Sequence, residues 1–238
     1  MKILVTGTSK GLGLDVARHL LSEGFSVVGI SRRDDSPNIL ELKKNINYNH
    51  VTYNFKSPDD IKRLFKDELK QLGPFGGFIN NAAFAYDDII TNCNYEMMYT
   101  MYNINVFSPI MLTKYLIRDS LLTKKKLNIV HISSISTRTG YKGLSMYAST
   151  KGALEAFSLN TSREWGSRGI KSNVVSPGFM ATDMSSSLSR EQRDKIFKRN
   201  SKKQELQTLE VAKTIKFLVS NDSSAITGQI INVDNGTI

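Results

Sequence analysis

The 238-residue chain predicts an α/β protein: one doubly wound parallel sheet with helices on both faces, in a single domain over residues 1–238. Three observations carry this expectation. Short β-branched runs alternate with amphipathic stretches along the chain, the pattern of strand–helix–strand crossovers. A glycine-rich turn occupies the first strand–helix joint. Hydrophobic residues form 40% of the chain, enough for one sizeable core.

The elements follow in order. Residues 2–6 (Lys2 to Thr6) read as a buried strand, and residues 12–23 as a helix closed by Gly24. A second strand covers 26–31. The spacing predicts a helix over 61–72 and, after a Gly-Pro break, a strand over 75–80. Long helical segments are predicted over 97–122 despite Pro109, then a strand over 128–133. A helix over 147–167 leads to a strand over 170–176, ended by Pro177-Gly178. The last helix and strand fall at 209–219 and 229–233. Residues 181–207 are polar, charged and without strand character. They follow a strand end, where open α/β sheets bind ligands, and are predicted to be a mobile flap over the site.

Composition narrows the function classes. The apolar N-terminal run is too short for a signal peptide and no stretch is long enough to span a membrane, so a cytoplasmic location is expected. Cys93 is the single cysteine, so no intrachain disulfide forms, and no metal-ligand set is visible. The net charge of +10 favours anionic partners: a phosphorylated cofactor, an acidic carrier protein, a nucleotide-linked substrate or nucleic acid. The runs Lys124-Lys125-Lys126, Lys198-Arg199 and Lys202-Lys203 lack interleaved aromatics and read as solvated surface, so no nucleic acid is expected. No G-x-S-x-G elbow is present, and none of His19, His50 and His131 sits in a triad context, which excludes a serine hydrolase. His131, inside a strand pattern, is expected to be packed.

The turn Thr6-Gly7-Thr8-Ser9-Lys10-Gly11-Leu12-Gly13 points to a dinucleotide. Glycines let backbone pass close to a pyrophosphate, and free N–H groups at the helix start favour the anion. This places the chain among Rossmann-like folds. The spacing is G-x-x-x-G-x-G rather than the commoner G-x-G-x-x-G.

That variant resembles the opening signature of the short-chain dehydrogenase/reductase family. The resemblance extends through Asn80-Asn81-Ala82-Ala83, Asn105, Ser133-Ser134, Tyr147-Ala148-Ser149-Thr150-Lys151, Pro177-Gly178 with Thr182 nearby, and Ile226-Thr227-Gly228-Gln229. It spans nearly the whole chain in the family's order. It implies an oxidoreductase interconverting a carbonyl and a secondary alcohol, with Ser134, Tyr147, Lys151 and Asn105 as catalytic residues.

Tyr147 and Lys151 lie four apart, on one helix face. A free tyrosine has a pKa near ~10, and a nearby ammonium is expected to lower it towards the working pH. Ser134 stands thirteen residues before Tyr147 (147 − 134 = 13), the family's spacing, which selects it over its competitors Ser133 and Ser136. A hydroxyl there can hold the substrate oxygen and stabilise charge developing on it. By resemblance, Asn105 shapes a helix kink and a water path to Lys151.

NAD-specific folds place an acid at the end of the second strand. Here that position is Ser31, followed by Arg32 and Arg33, and an arginine can bind a 2′-phosphate. Lys10 occupies a position basic in the family's NADP-preferring members. NADP(H) is therefore the expected cofactor; the competing reading of the arginines is solvated loop charge. Asp34 and Asp35 come slightly too late to supply the acid. The glycine turn (Gly7, Ser9, Lys10, Gly11, Leu12, Gly13), Ser31, Arg32, Asn54, Asn81, Ala82, Tyr147, Lys151, Pro177, Gly178 and Thr182 form the expected cofactor site, with Asn54 at adenine by resemblance.

Residues 177–193 resemble those of 3-oxoacyl carrier-protein reductases, and Arg168 with Lys124–Lys126 could face an acyl carrier protein. A 3-oxoacyl thioester is the first substrate reading. A sugar-derived or other small ketone is the alternative, and a non-catalytic NADP-binding regulator the third. Three departures suggest a specialised member: Ala83 in place of a glycine, the stretch 202–207 without the family's arginine, glycine and proline, and Asp234-Asn235-Gly236 in place of a Gly-Gly pair. The long helices imply a homodimer or homotetramer by the same analogy.

Overall fold

Alternation of side chains decides how the first strand sits. In β1 (Lys2–Thr6), Ile3 and Val5 face one core and Leu4 the other, so both sheet faces must be covered by helices. The computed structural model describes residues 1–181 and 189–238. Around β1 assemble β2 (Ser26–Ser31), β3 (Tyr48–Thr52), β4 (Gly77–Asn80), β5 (Leu127–Ile132), β6 (Ile170–Pro177) and β7 (Ile230–Val233). The order is β3-β2-β1-β4-β5-β6-β7, and every pairing is parallel. The predicted doubly wound sheet is the one observed.

On one face lie α1 (Gly11–Ser22) and, later in the chain, the helix Thr208–Val219, whose Val16, Leu20, Val211 and Ile215 pack on Ile3, Val5 and Val130. The short α2 (Pro37–Leu42) follows β2. On the other face, α3 (residues 61–72) and α4 (residues 95–123) bring Ile61, Leu112 and Leu116 against Leu4, Phe78 and Ile129. After β5 come α5 (Ser136–Thr139) and α6 (Ser145–Trp165); α7 (Arg190–Phe197) and α8 (Thr208–Val219) precede β7.

Several boundaries differ from expectation. The helix α4 contains a π turn, Asn103–Phe107, directly before Pro109. A widened turn removes the need for the N–H that proline lacks, so the rod continues. No bounds could be read for β3: it is an edge strand whose Asn49 and His50 interrupt the apolar pattern. The predicted flap holds a helix, α7, opened by a capping box between Ser189 and Gln192. Its later part is fastened to the chain end, with the Ser201 N–H donating to Gly236 O (3.0 Å) and Asn235 Nδ2 to Gln204 O (3.2 Å). The basic runs follow the ends of α4 and α7, as expected of surface charge.

Candidate active site

The sheet order reverses between β1 and β4, and the chain leaves their C-terminal ends in opposite directions. A crevice must open there. Thr6 ties its two walls: Oγ1 accepts from Asn81 N–H (3.0 Å) and Ala82 N–H (2.9 Å), while Asn81 Nδ2 donates to Thr6 O (2.9 Å). Gly13 lets α1 approach this joint; a Cβ there would lie 2.2 Å from Gly7 O and 2.4 Å from Asn81 Nδ2.

A cavity of about 450 Å3 fills the crevice. Its walls include Gly7, Ser9, Lys10, Gly11, Leu12 and Gly13 from the turn, Ser31 at the end of β2 with Arg32 after it, and Asn54 beyond β3. Asn81, Ala82, Tyr147, Lys151 and Pro177 complete the set that sequence reasoning placed there. Gly178 is near but not in the wall: its N–H donates to Val233 O (2.8 Å) and it packs on Asp234. Thr182 lies outside the described residues. Cys93 is not part of the wall; its thiol contacts Met98 Sδ at 3.8 Å.

Of the four catalytic candidates, Tyr147 and Lys151 line this cavity, whereas Asn105 and Ser134 do not. Tyr147 and Lys151 share a face of α6, with Nζ 5.6 Å from the phenol ring centroid. Lys151 is buried, and Nζ donates to Ile132 O at 2.8 Å. Asn105 sits in the π turn, wholly buried. Its Oδ1 accepts from Phe84 N–H (2.8 Å), and Nδ2 donates to Phe84 O (2.9 Å) and Thr150 Oγ1 (3.0 Å). Ser133, not Ser134, is in the cavity wall. Yet Ser133 Oγ is committed to Glu155 Oε1 at 2.6 Å. Ser134 Oγ accepts from Ser136 N–H (3.2 Å), and its own proton has no acceptor among the described residues, which leaves it able to donate.

Comparison with known proteins shows the family. A family model described as enoyl-(acyl carrier protein) reductase covers residues 7–237. The chain belongs to the short-chain dehydrogenase/reductase family. Among its curated relatives are the 3-oxoacyl-[acyl-carrier-protein] reductases FabG of Haemophilus influenzae and Escherichia coli K12. The first is 29% identical over 98% of this chain and 96% of its own, the second 30% over 98% and 95%. A variant of actinorhodin polyketide ketoreductase, solved with NADPH, superposes with TM-score 0.90 at 25% identity, covering 99% of this chain and 96% of its own. ElxO with NADP bound gives 0.90 at 27%, covering 99% and 98%.

This short-chain dehydrogenase/reductase is an oxidoreductase, and its electrostatics depart from one expectation. Burial pushes the Tyr147 phenol above its ordinary value, with the Asp87 carboxylate adding to the rise. The predicted lowering by Lys151 is not observed. The reason is that desolvation acts on both groups, bringing the Lys151 ammonium itself down to about 8. His131, predicted to be packed, is fully buried between Phe78 and Phe157, and Asn80 Nδ2 lies 3.2 Å from its Nδ1.

Sequence reasoning missed much of the wall. Met97, Thr100 and Ile104 line it from α4, and their spacing of three and four is that of one helix face. Phe84 extends the Asn80–Ala83 motif, and Phe55 and Lys56 follow Asn54. Met180 comes from the loop after β6. Only adjacency to known motifs could have signalled these residues.

No helix among the described residues is long and apolar enough to cross a membrane.

Proposed function

We propose that this enzyme reduces a ketone with NADPH, the substrate being a 3-oxoacyl thioester. The observation that carries the reading is a continuous cavity wall running from Lys10, Ser31 and Arg32, past the glycine-rich turn, to Tyr147 and Lys151. Residues of this chain fit NADP(H). Gly13 lets α1 pack close against the turn that lines the cavity, and Asn54 and Asn81 border the cavity where adenine and ribose would lie. No acid stands at the end of β2, and the Asp34 carboxylate is held 3.2 Å from Lys43 Nζ. Arg32 and Lys10 supply positive charge for a 2′-phosphate. The NADPH-bound ketoreductase and NADP-bound ElxO support the same choice.

NADPH would supply the hydride. The chain's own residues supply the rest. Tyr147 donates its phenolic proton to the carbonyl oxygen, and its raised pKa keeps that proton in place before transfer. The Ser134 hydroxyl donates a second hydrogen bond to the same oxygen. The Lys151 ammonium, fixed on Ile132 O, offers its other protons beside the phenol. Asn105 acts by holding Phe84 and by occupying the π turn.

Phe84, Met97, Ile104 and Met180 make part of the wall apolar, which suits an acyl chain better than a sugar. The FabG relatives support a carrier-linked substrate, with the surface around Lys124–Lys126 and Arg168 meeting the acyl carrier protein. The altered stretches at 202–207 and 234–236 favour a small or sugar-derived ketone as second reading. Ser134, Tyr147 and Lys151 together weigh against a regulator. A homodimer or homotetramer in the cytoplasm completes the proposal, by likeness to the family.

The test is consumption of NADPH, against NADH, with acetoacetyl thioesters on coenzyme A and on carrier protein. Fast turnover with the carrier-linked ester is expected. Tight NADPH binding without turnover on any thioester would overturn the substrate and leave the cofactor reading standing.

A further inference from the structure

Below the cavity floor, a chain of hydrogen bonds links the glycine-rich turn to the arginine-bearing loop. Thr8 Oγ1 lies 3.2 Å from Tyr48 Oη, and Tyr48 Oη lies 2.8 Å from His50 Nδ1. His50 Nε2 lies 3.2 Å from both Arg33 O and Ser31 Oγ, and Ser31 Oγ donates to Arg33 O at 2.6 Å. Thr8 and Tyr48 are buried and His50 half-buried.

The sequence builds this path. Tyr48 and His50 are two apart on β3, so their side chains share one sheet face. His50 pairs in register with Gly29 of the neighbouring strand. A Cβ at Gly29 would stand 2.2 Å from Tyr48 Oη and 2.7 Å from Thr8 Oγ1. The glycine therefore leaves the corridor through which the tyrosine reaches the threonine. Burial pushes the Tyr48 phenol up to about 12 and the His50 imidazole below its ordinary value, so both stay neutral near pH 7.

Chemistry then sets the direction of the protons. Arg33 O can only accept, so His50 Nε2 carries the hydrogen and Nδ1 accepts from Tyr48. Tyr48 in turn accepts from Thr8. Each donor points from the phosphate-binding turn towards the Ser31–Arg33 loop, and every polar atom on the path is satisfied.

We propose that Tyr48 and His50 are positioning residues for cofactor selectivity: they hold the backbone of Ser31–Arg33 where the Arg32 guanidinium can meet the 2′-phosphate. The proposal rests on the NADP(H) reading above and deepens it. Arg32 and Arg33 are exposed. A bidentate contact depends on where their backbone is fixed, and the tie fixes it from a buried anchor. The adenosine without a 2′-phosphate makes no use of that placement.

The test is binding of 2′,5′-ADP and of 5′-AMP to the full chain, by calorimetry, with Tyr48→Phe and His50→Phe. The first variant deletes only the bridging hydroxyl; the second keeps a ring and deletes the hydrogen bonds of both ring nitrogens. Each is expected to weaken 2′,5′-ADP about five- to tenfold, the worth of one net hydrogen bond, and to change 5′-AMP by less than about twofold. Equal weakening of both ligands would show a role in general stability and overturn the proposal. Unchanged affinity for both would overturn it too. A wild-type protein that binds the two ligands equally would overturn the NADP(H) reading and this proposal together, a result distinct from loss of preference in the variants alone.

Discussion

Asn105 grips Phe84 from both sides, accepting from its N–H at 2.8 Å and donating to its C=O at 2.9 Å. A single amide side chain thereby replaces the strand partner that the chain lost on leaving β4. Asn105→Ala would leave both backbone groups and Thr150 short of a partner. A loss of roughly 2–4 kcal/mol in urea unfolding is expected. A loss below about 0.5 kcal/mol would show that water replaces the side chain without cost.

Ser133 and Ser134 should separate by phenotype. Ser134→Ala removes the free donor, so turnover should fall on the order of 100-fold with stability little changed. Ser133→Ala removes the 2.6 Å bond to Glu155, so stability should fall by about 1–2 kcal/mol with turnover retained better. Thermal melts and steady-state rates on both variants decide the matter. The reverse pattern would transfer the catalytic role to Ser133.

Tyr147→Phe should abolish nearly all turnover, by on the order of 100-fold or more, while NADPH still binds. Fluorescence titration of NADPH with this variant gives the check. A variant that keeps most of its turnover would remove Tyr147 as proton donor.

Lys151 makes a pH prediction. Burial brings its pKa from 10.5 to about 8. The unfolded chain thus holds that proton between about pH 8 and 10.5 while the folded one does not, so this residue's contribution makes stability rise with pH across that window. Below about pH 8 the cost of burying the ammonium is fully present, roughly 3 kcal/mol. Lys151→Met should flatten the rise, and turnover of the wild type should fall as pH rises through about 8. Urea melts at several pH values test the first statement, and a kcat profile tests the second. A wild-type profile level up to pH 10 would refute the ammonium's role.

His131 works at the acid end. Its pKa is lowered to about 3, first by burial and then by the Lys151 charge. The unfolded chain gains a proton near pH 6.5 that the folded one refuses, so stability is lost as pH falls from about 6.5 towards 3. The loss amounts to several kcal/mol. His131→Gln, which keeps an acceptor for Asn80, should show a shallower acid limb in circular-dichroism titration. Identical limbs would place the acid sensitivity elsewhere.

Local chemistry made most of the frame legible. Strands such as 26–31 and the helix 208–219 announce themselves by period, and the turn from Thr6 to Gly13 by its glycines. The edge strand β3 did not, because Asn49 and Thr52, on opposite faces of the strand, are exposed and break the apolar pattern. Most of the motif residues line the cavity; Asn105, Ser134 and Gly178 do not, and Thr182 lies outside the described residues. Met97, Thr100, Ile104 and Met180 were not foreseen, since a residue facing a cavity has the same composition as one facing a core.

From sequence alone came the fold class, the order of most elements and, by resemblance to the family, the candidates for proton exchange with a carbonyl. The first two follow from patterns within a few residues of one another: side-chain period and turn chemistry. Tertiary structure alone decided which hydroxyl is free, since Glu155 lies 22 positions from Ser133. It also decided the direction of the Tyr147 shift and the path from Thr8 to Arg33 across β1, β2 and β3. Burial and hydrogen-bond commitment depend on partners distant in the chain, and only the packed sheet brings them within reach.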